Sequence, residues 1–203
     1  MLTSSTIIED IDAIRKTGLA SLIFFYCDFR DDEKKNLRGL LSSLLVQLCQ
    51  QSDSCCDVLS EFHSEYSKGS RRPNDDALER CLKGLLNLPK LAPVYLIVDA
   101  LDECPDTSTA SPRAEVLKLL KMLIESQFPN LRICVTSRPE TDIKAALDPL
   151  IFRSVSLDAQ SEQKRDIEDY IKSVIYTHEK NKEWQVHHKQ LVVKVLTEKA
   201  DGM

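Results

Sequence analysis

The chain has 203 residues, of which 42% are hydrophobic and 29% charged, a composition typical of a globular domain and not of a disordered segment. Its formal net charge is −5, so there is no overall positive field to attract nucleic acid or an anionic membrane surface. The longest uncharged runs, 17–27 and 39–52, are shorter than the roughly 18 residues that a membrane-spanning helix needs.

The cysteines and the first residues indicate a reducing compartment. The seven cysteines are odd in number and include no CxxC pair. Several fall on apolar faces or in predicted strands, where a reduced cysteine acts as a small hydrophobic residue. Glu9, Asp10 and Asp12 lie where a secretory signal peptide would need an apolar stretch. We therefore expect a cytoplasmic protein.

Hydrophobic spacing predicts the elements of the first half of the chain. Four isoleucines between positions 7 and 14 follow helical spacing, and Gly18 is placed to end that helix. The segment SLIFFYCDF (21–29) is a short apolar run typical of a buried strand. Six leucines between 37 and 48 lie on one face of a strongly amphipathic helix. Two further helices are predicted around 58–66 and 78–85.

Strands and helices alternate in the second half of the chain. The predicted elements are a strand at 94–99, a helix from the Ser111-Pro112 cap to about 127, a strand at 131–136, a short helix at 141–147 and a strand at 151–157. From Ser161 onward the hydrophobic spacing is helical, with no strand between or after the two predicted helices.

This alternation predicts an α/β fold in which a parallel sheet is covered by helices on both faces. The predicted sheet has four parallel strands. We divide the chain into a core at 1–158 and an appended helical segment at 159–203.

Polar residues follow two of the predicted strands directly. Asp99, Asp102 and Glu103 come at the end of the strand VYLIVD, and Arg138 follows the strand LRICV after a threonine and a serine. Ligands of parallel sheets gather at the carboxyl ends of the strands, so we expect these residues at one edge. A phosphoryl-transfer site needs an aspartate for magnesium, an acid that orients the attacking water and an arginine near the terminal phosphate.

Both strand endings also have simpler interpretations. The three carboxylates are compatible with a solvated loop after a core strand, and Arg138 with a surface or helix-capping charge. Thr3, Ser4 and Ser5 are compatible with a phosphate-binding turn, but they fit better as N-cap residues of the first helix.

At this point a resemblance becomes specific. VYLIVDALDEC (94–104) resembles the extended Walker B motif of NACHT-type (STAND class) P-loop NTPases, and LRICVTSRPE (131–140) resembles their sensor 1 strand with its arginine. FFYCDF, the leucine-rich helix after it and the closing KADGM resemble the fungal nephrocystin-like N-terminal subfamily. The resemblance extends over essentially the whole chain.

The resemblance implies a P-loop NTPase-like three-layer fold and a role for each site residue. Asp99 would hold Mg²⁺ through water, Asp102 and Glu103 would position the attacking water or act as base, and Arg138 would sense the terminal phosphate of ATP or GTP. The family's partners are proteins, or further copies of the same chain, engaged through NACHT and repeat domains of the full-length protein.

The phosphate-binding loop of this family is missing from the 203 residues. No GxxxxGK[ST] segment occurs, and the five glycines are widely scattered. In the family, the helix that begins here at MLTSSTIIEDI directly follows that loop and the central strand before it. We therefore expect a domain cut at both ends. Each lost phosphate donor costs roughly 1.5–3 kcal/mol, so nucleotide binding should fall by about a thousandfold or more.

Three functions remain open on the sequence alone. The chain is the core of a nucleotide-dependent signalling switch that is inactive without its loop, or an interaction module that works without nucleotide, or a truncated gene product without independent function. The sequence upstream of Met1 distinguishes the first from the other two.

Overall fold

A computed structural model describes residues 2–67, 72–106, 111–155, 160–177 and 184–199. The chain divides into two compact units, 1–151 and 152–203. The first unit contains α1 (Leu2–Lys16), β1 (Ser21–Tyr26), α2 (Leu37–Cys49), α3 (Asp53–Ser67), α4 (Asp75–Leu86), β2 (Val94–Asp99), α5 (Pro112–Glu125), β3 (Leu131–Val135) and α6 (Thr141–Leu147), with 3-10 turns at Leu101–Glu103 and Asp148–Leu150. The second unit contains α7 (Gln160–Thr177) and α8 (Val186–Lys199).

The sheet of the described residues is parallel, with the order β1–β2–β3. Tyr26 pairs with Asp99 at the end of the β1–β2 ladder, and Val98 pairs with Val135 at the end of the β2–β3 ladder. All three strands therefore end at the same edge of the sheet, as the sequence predicts, and their following residues form the candidate site.

Helices pack on both faces of this sheet. Alternate strand residues, among them Ile23, Leu96 and Val98, join the main core with the leucines of α2, α4 and α5. Ile97, one residue out of phase with these, is buried on the opposite face. Helix α1 contacts β1 and β2, and its Ser4 hydroxyl reaches Asp99, which shares the face of Ile97. The mixed α/β class is therefore confirmed.

The predicted fourth strand at 151–157 is wrong within the described part of that segment. Residues 151–155 form no strand, and Phe152 and Val155 are exposed at 104% and 69%. A strand needs a neighbour to satisfy its backbone groups, and the described sheet ends at β3 without pairing to this segment. Apolar spacing alone therefore suggested an element that lacks a partner. Residues 156 and 157 lie outside the described residues.

The helices match the sequence prediction closely, with side-chain caps where polar residues precede them. The Asn36, Asn74 and Ser111 side chains accept hydrogen bonds from the third backbone N–H beyond each of them, at 2.9, 3.0 and 3.1 Å. Ser4 is not a cap, because it lies within α1 and its hydroxyl bonds Asp99. None of the helices in the described ranges is long and apolar enough to span a membrane.

The second unit is a pair of packed helices. Val193 and Ile175 are buried where α7 and α8 meet, and Lys189 lies over the ring of Tyr176 with 5.4 Å between its Nζ and the ring centroid. The prediction that the chain closes with helices and no strand is confirmed for 160–177 and 184–199.

Candidate functional site

Asp99 lies at the centre of the strand-end cluster and is 6% exposed. Its Oδ1 accepts a hydrogen bond from the Thr136 hydroxyl at 2.5 Å and another from the Ser4 hydroxyl. Asp99 ends β2, Thr136 directly follows β3, and Ser4 lies in α1, so the carboxylate connects three elements. Neither bond uses Oδ2. A carboxylate this buried needs such donors, because burying an unpaired charge costs several kcal/mol.

The backbone turns sharply after Asp99. Ala100 has a left-handed conformation, with φ 54° and ψ 47°, a conformation that a residue with a Cβ adopts at a cost of roughly 1–2 kcal/mol. Thr136 holds the turn: its Oγ1 accepts from the Ala100 N–H at 3.1 Å, and its carbonyl accepts from the Leu101 N–H at 3.0 Å. The turn directs the 3-10 segment Leu101–Glu103 back across the strand ends.

Asp102 and Arg138 are brought into direct contact. Asp102 Oδ1 accepts from the Arg138 backbone N–H at 3.0 Å, and its Oδ2 lies 3.5 Å from Arg138 Nε. The Asp102 side chain is 12% exposed, whereas the Arg138 side chain is 83% exposed. The carboxylate is therefore fixed by the backbone, and the guanidinium remains accessible to an anion from solvent.

Glu103 is half-buried on the same 3-10 turn. The hydrogen bond from Arg30 to Asp28 is the main cause that raises the pKa of the Arg30 guanidinium, and the charge of Glu103 adds to it. The four predicted site residues, Asp99, Asp102, Glu103 and Arg138, thus lie at the carboxyl ends of neighbouring strands.

Arg113 is a site residue that the sequence interpretation missed. From the first turn of α5 its Nε donates to the Cys104 carbonyl at 2.9 Å, and its Nη2 donates to the Asp102 carbonyl at 2.7 Å. Its Nη1 lies 3.3 Å from both carboxylate oxygens of Asp142 on α6. Its side chain is 12% exposed. Arg113 therefore fixes the backbone that carries Asp102 and Glu103 to two helices.

Two thiols lie behind the same turn. Cys27 follows β1, and its N–H donates to the Asp99 carbonyl at 3.0 Å; Cys104 closes the 3-10 segment. Both are buried. A hydrogen bond to Cys104 and burial raise the pKa of the Cys27 thiol, while the same hydrogen bond lowers the pKa of Cys104. All seven cysteines are unpaired as disulfides.

The carboxylates at this edge are of the ligand type that Mg²⁺ prefers. Among the described residues, no group of three or more His, Cys, Asp or Glu side chains could hold a metal ion. Mg²⁺ commonly keeps several waters and binds through one or two carboxylates together with substrate phosphates. Asp99, with Oδ2 outside its two hydroxyl bonds, fits that role.

A comparison with known families identifies the family of this chain. Residues 2–138 match the family described as Nephrocystin 3, N-terminal, which is more than half of the 203 residues. The chain therefore belongs to this family. The match includes all four predicted site residues and ends at Arg138.

One curated relative gives a second comparison. The chain is 27% identical over 168 residues to vegetative incompatibility protein HET-E-1 of Podospora anserina. The alignment covers 74% of this chain but only 11% of that relative, so the chain spans a small part of the relative's length. No solved structure matches the chain. The two matches support the resemblance to a nephrocystin-like, NACHT-related group.

Proposed function

We propose that these residues are the metal-binding and water-positioning half of a NACHT-type nucleotide switch, which binds ATP or GTP with Mg²⁺. The observation that carries the proposal is the convergence of Asp99, Asp102, Glu103 and Arg138 at one sheet edge. These residues come from two different strand endings, and Asp102 of one ending binds Arg138 of the other through both its backbone N–H and its side chain.

Asp99 is the proposed magnesium ligand, acting through bound water. The Ser4 and Thr136 hydroxyls orient its carboxylate by bonding Oδ1. Magnesium would supply charge neutralisation between the phosphate oxygens. Asp99→Asn keeps the shape but removes the negative charge, so it should weaken magnesium-dependent binding itself.

Asp102 and Glu103 are the proposed residues for the attacking water, and Arg138 is the proposed sensor of the terminal phosphate. Because Asp102 holds the Arg138 backbone, the position of the arginine depends on the carboxylate turn. The exposed guanidinium can exchange its 3.5 Å contact with Asp102 for a phosphate oxygen. Such an exchange would connect nucleotide state to the loop after β3.

The proposal applies to a chain in which a phosphate-binding loop accompanies these residues. The 203 residues contain no GxxxxGK[ST] segment, and Asp99 cannot replace it, because a carboxylate repels phosphate without a bridging cation. On its own this chain should have no useful NTPase activity and should bind MgATP or MgGTP no better than about 1 mM. Calorimetry that gives micromolar affinity would contradict this part.

The test of the roles uses this chain joined at its N-terminus to a segment that carries a phosphate-binding loop. Asp102→Asn and Glu103→Gln should reduce hydrolysis more than nucleotide binding, whereas Asp106→Asn, an exposed carboxylate just beyond the turn, should change neither. Equal turnover in the wild type and in the two site variants would refute the assignment. The protein would then fit the second candidate, a nucleotide-independent interaction module.

A further inference from the structure

The outer edge of β1 is closed by side chains instead of by a strand. In the described sheet β1 has β2 on one side only. The N–H groups of Ser21 and Cys27 donate to Pro93 and Asp99 on the β2 side, so the even-numbered residues of β1 direct their backbone groups outward. Unpaired edges of this kind are sites where another chain can add a strand.

Two glutamines occupy this edge. Gln51 Oε1 accepts from the Leu22 N–H at 2.9 Å, and its Nε2 donates to the Leu22 carbonyl at 2.6 Å. Gln47 makes the same pair of bonds with Phe24, at 2.9 and 2.8 Å. Each primary amide thus satisfies both backbone groups of one outward-facing residue, as a neighbouring strand would.

The spacing of the two glutamines explains why they bind two successive outward-facing residues of β1. Four residues of helix advance about 6 Å, and two residues of strand advance about 6.6 Å. Helix α2 and the turn after it run antiparallel to β1, so Gln47 meets Phe24 and Gln51 meets Leu22. We call Gln47 and Gln51 the glutamine clasp.

Further hydrogen bonds hold the two glutamine side chains in place. Gln47 Nε2 also donates to the Ser43 hydroxyl at 2.9 Å, and Gln51 Nε2 donates to the Gln47 carbonyl at 2.8 Å. Farther along the same edge, the Asp28 N–H donates to the Lys34 carbonyl at 3.1 Å. The amides are therefore oriented before any partner approaches, which lowers the entropy cost of holding them.

We propose that the glutamine clasp is an autoinhibitory contact that keeps β1 from pairing with β1 of a second copy of this chain. The sequence of β1, SLIFFY, argues for a second copy as the occupant. It is a six-residue segment of high β-propensity with no charge, proline or glycine, which is the composition of self-pairing strands. Opening the clasp exposes the backbone N–H and C=O groups of Leu22 and Phe24 to another β1.

The first test measures amide hydrogen exchange in the 203-residue chain at low concentration. In the wild type, the Leu22 and Phe24 amides should be protected although they face the outer edge. Gln47→Met, which keeps length but loses both bonds, should speed exchange at Phe24 by about fivefold to tenfold, with a smaller effect at Leu22. Gln51→Met should do the reverse. Unchanged exchange at both amides would overturn the clasp.

The second test measures self-association of Gln47→Met/Gln51→Met by analytical ultracentrifugation. The double variant should associate at concentrations where the wild type does not, and the Leu22 and Phe24 amides should regain protection as it associates. The matched control is Gln50→Met, which adds methionine at a neighbouring exposed position and should behave as the wild type. Faster exchange without extra association would overturn the blocking role. If the double variant does not fold, the single variants still test the clasp.

Discussion

The Thr136 hydroxyl donates a 2.5 Å hydrogen bond to Asp99 Oδ1, although the two residues are 37 positions apart. The same hydroxyl accepts from the Ala100 N–H. One side chain after β3 therefore stabilises both the buried carboxylate at the end of β2 and the left-handed turn that follows. This contact relates the two sequence motifs that the family resemblance treats separately.

Replacing Thr136 with valine tests how much this contact contributes to the free energy of unfolding. Thr136→Val preserves shape but leaves Asp99 with one hydroxyl fewer and the Ala100 N–H without its acceptor, so the free energy of unfolding should fall by about 1.5–3 kcal/mol. Urea denaturation measures the change. Thr141→Val, at an exposed position, serves as the control and should stay within about 0.5 kcal/mol of the wild type. Equal losses in both variants would show that the hydroxyl has no special role.

Arg113 should be needed to order the carboxylate turn. Arg113→Met keeps much of the apolar stem but loses the bonds to the Asp102 and Cys104 carbonyls and to Asp142. We expect a loss of about 2 kcal/mol or more and faster amide exchange at Cys104, whose N–H donates to Leu101. Lys118→Met, exposed on the same helix, is the matched control. A destabilised variant with unchanged exchange at Cys104 would contradict the positioning role.

The sequence predicted which residues lie at the sheet edge, but it did not predict the polar contacts that hold them there. Asp99 and Arg138 could be placed at the same edge because they follow apolar runs in a parallel alternation. Arg113 carried no such signal: it appears only as a charge in the first turn of a helix, and its partners are backbone carbonyls brought near by the tertiary fold. Ser4 was predicted to be an N-cap residue, because its contact with Asp99 also depends on the tertiary fold and not on the local sequence. The strand predicted at 151–157 failed because strand formation depends on a partner.

The same limit applies to the glutamine clasp. Gln47 falls on the polar side of the α2 pattern and Gln51 in the turn after α2, and solvent exposure is the ordinary expectation for both. Their role depends on the distance between α2 and the β1 edge, which no local pattern reports. By contrast, the leucines of α2 were predicted correctly, because their contribution is burial on one face and the 3.6-residue period records it.

Alkaline pH should reveal the half-buried thiol of Cys49. Burial, followed by the neighbouring thiols, raises the pKa of Cys49 from 9.0 to about 11, and its Sγ lies 3.4 Å from the Cys55 carbonyl. A raised folded-state pKa gives stability that is fully present below pH 9 and is lost as the pH rises toward 11.

The Cys49→Ala variant isolates this effect. The wild type should lose about 1–2 kcal/mol more unfolding free energy than Cys49→Ala between pH 8 and pH 10.5, after discounting for partial exposure. Cys56→Ala, at an exposed position, should keep the pH dependence of the wild type. Parallel pH profiles for the wild type and Cys49→Ala would show that this thiol ionises equally in both states.

The most direct test of the nucleotide-switch proposal is magnesium-dependent ATP binding to this chain after a segment that carries a phosphate-binding loop is joined upstream of Met1. Calorimetry should compare the wild type, Asp99→Asn and Asp106→Asn, each with Mg²⁺ and with EDTA. We expect Mg²⁺ to strengthen binding to the wild type and to Asp106→Asn, and we expect Asp99→Asn to lose about tenfold or more of this gain. An equal gain from Mg²⁺ in all three proteins would contradict the assignment of Asp99 and the metal site built on it.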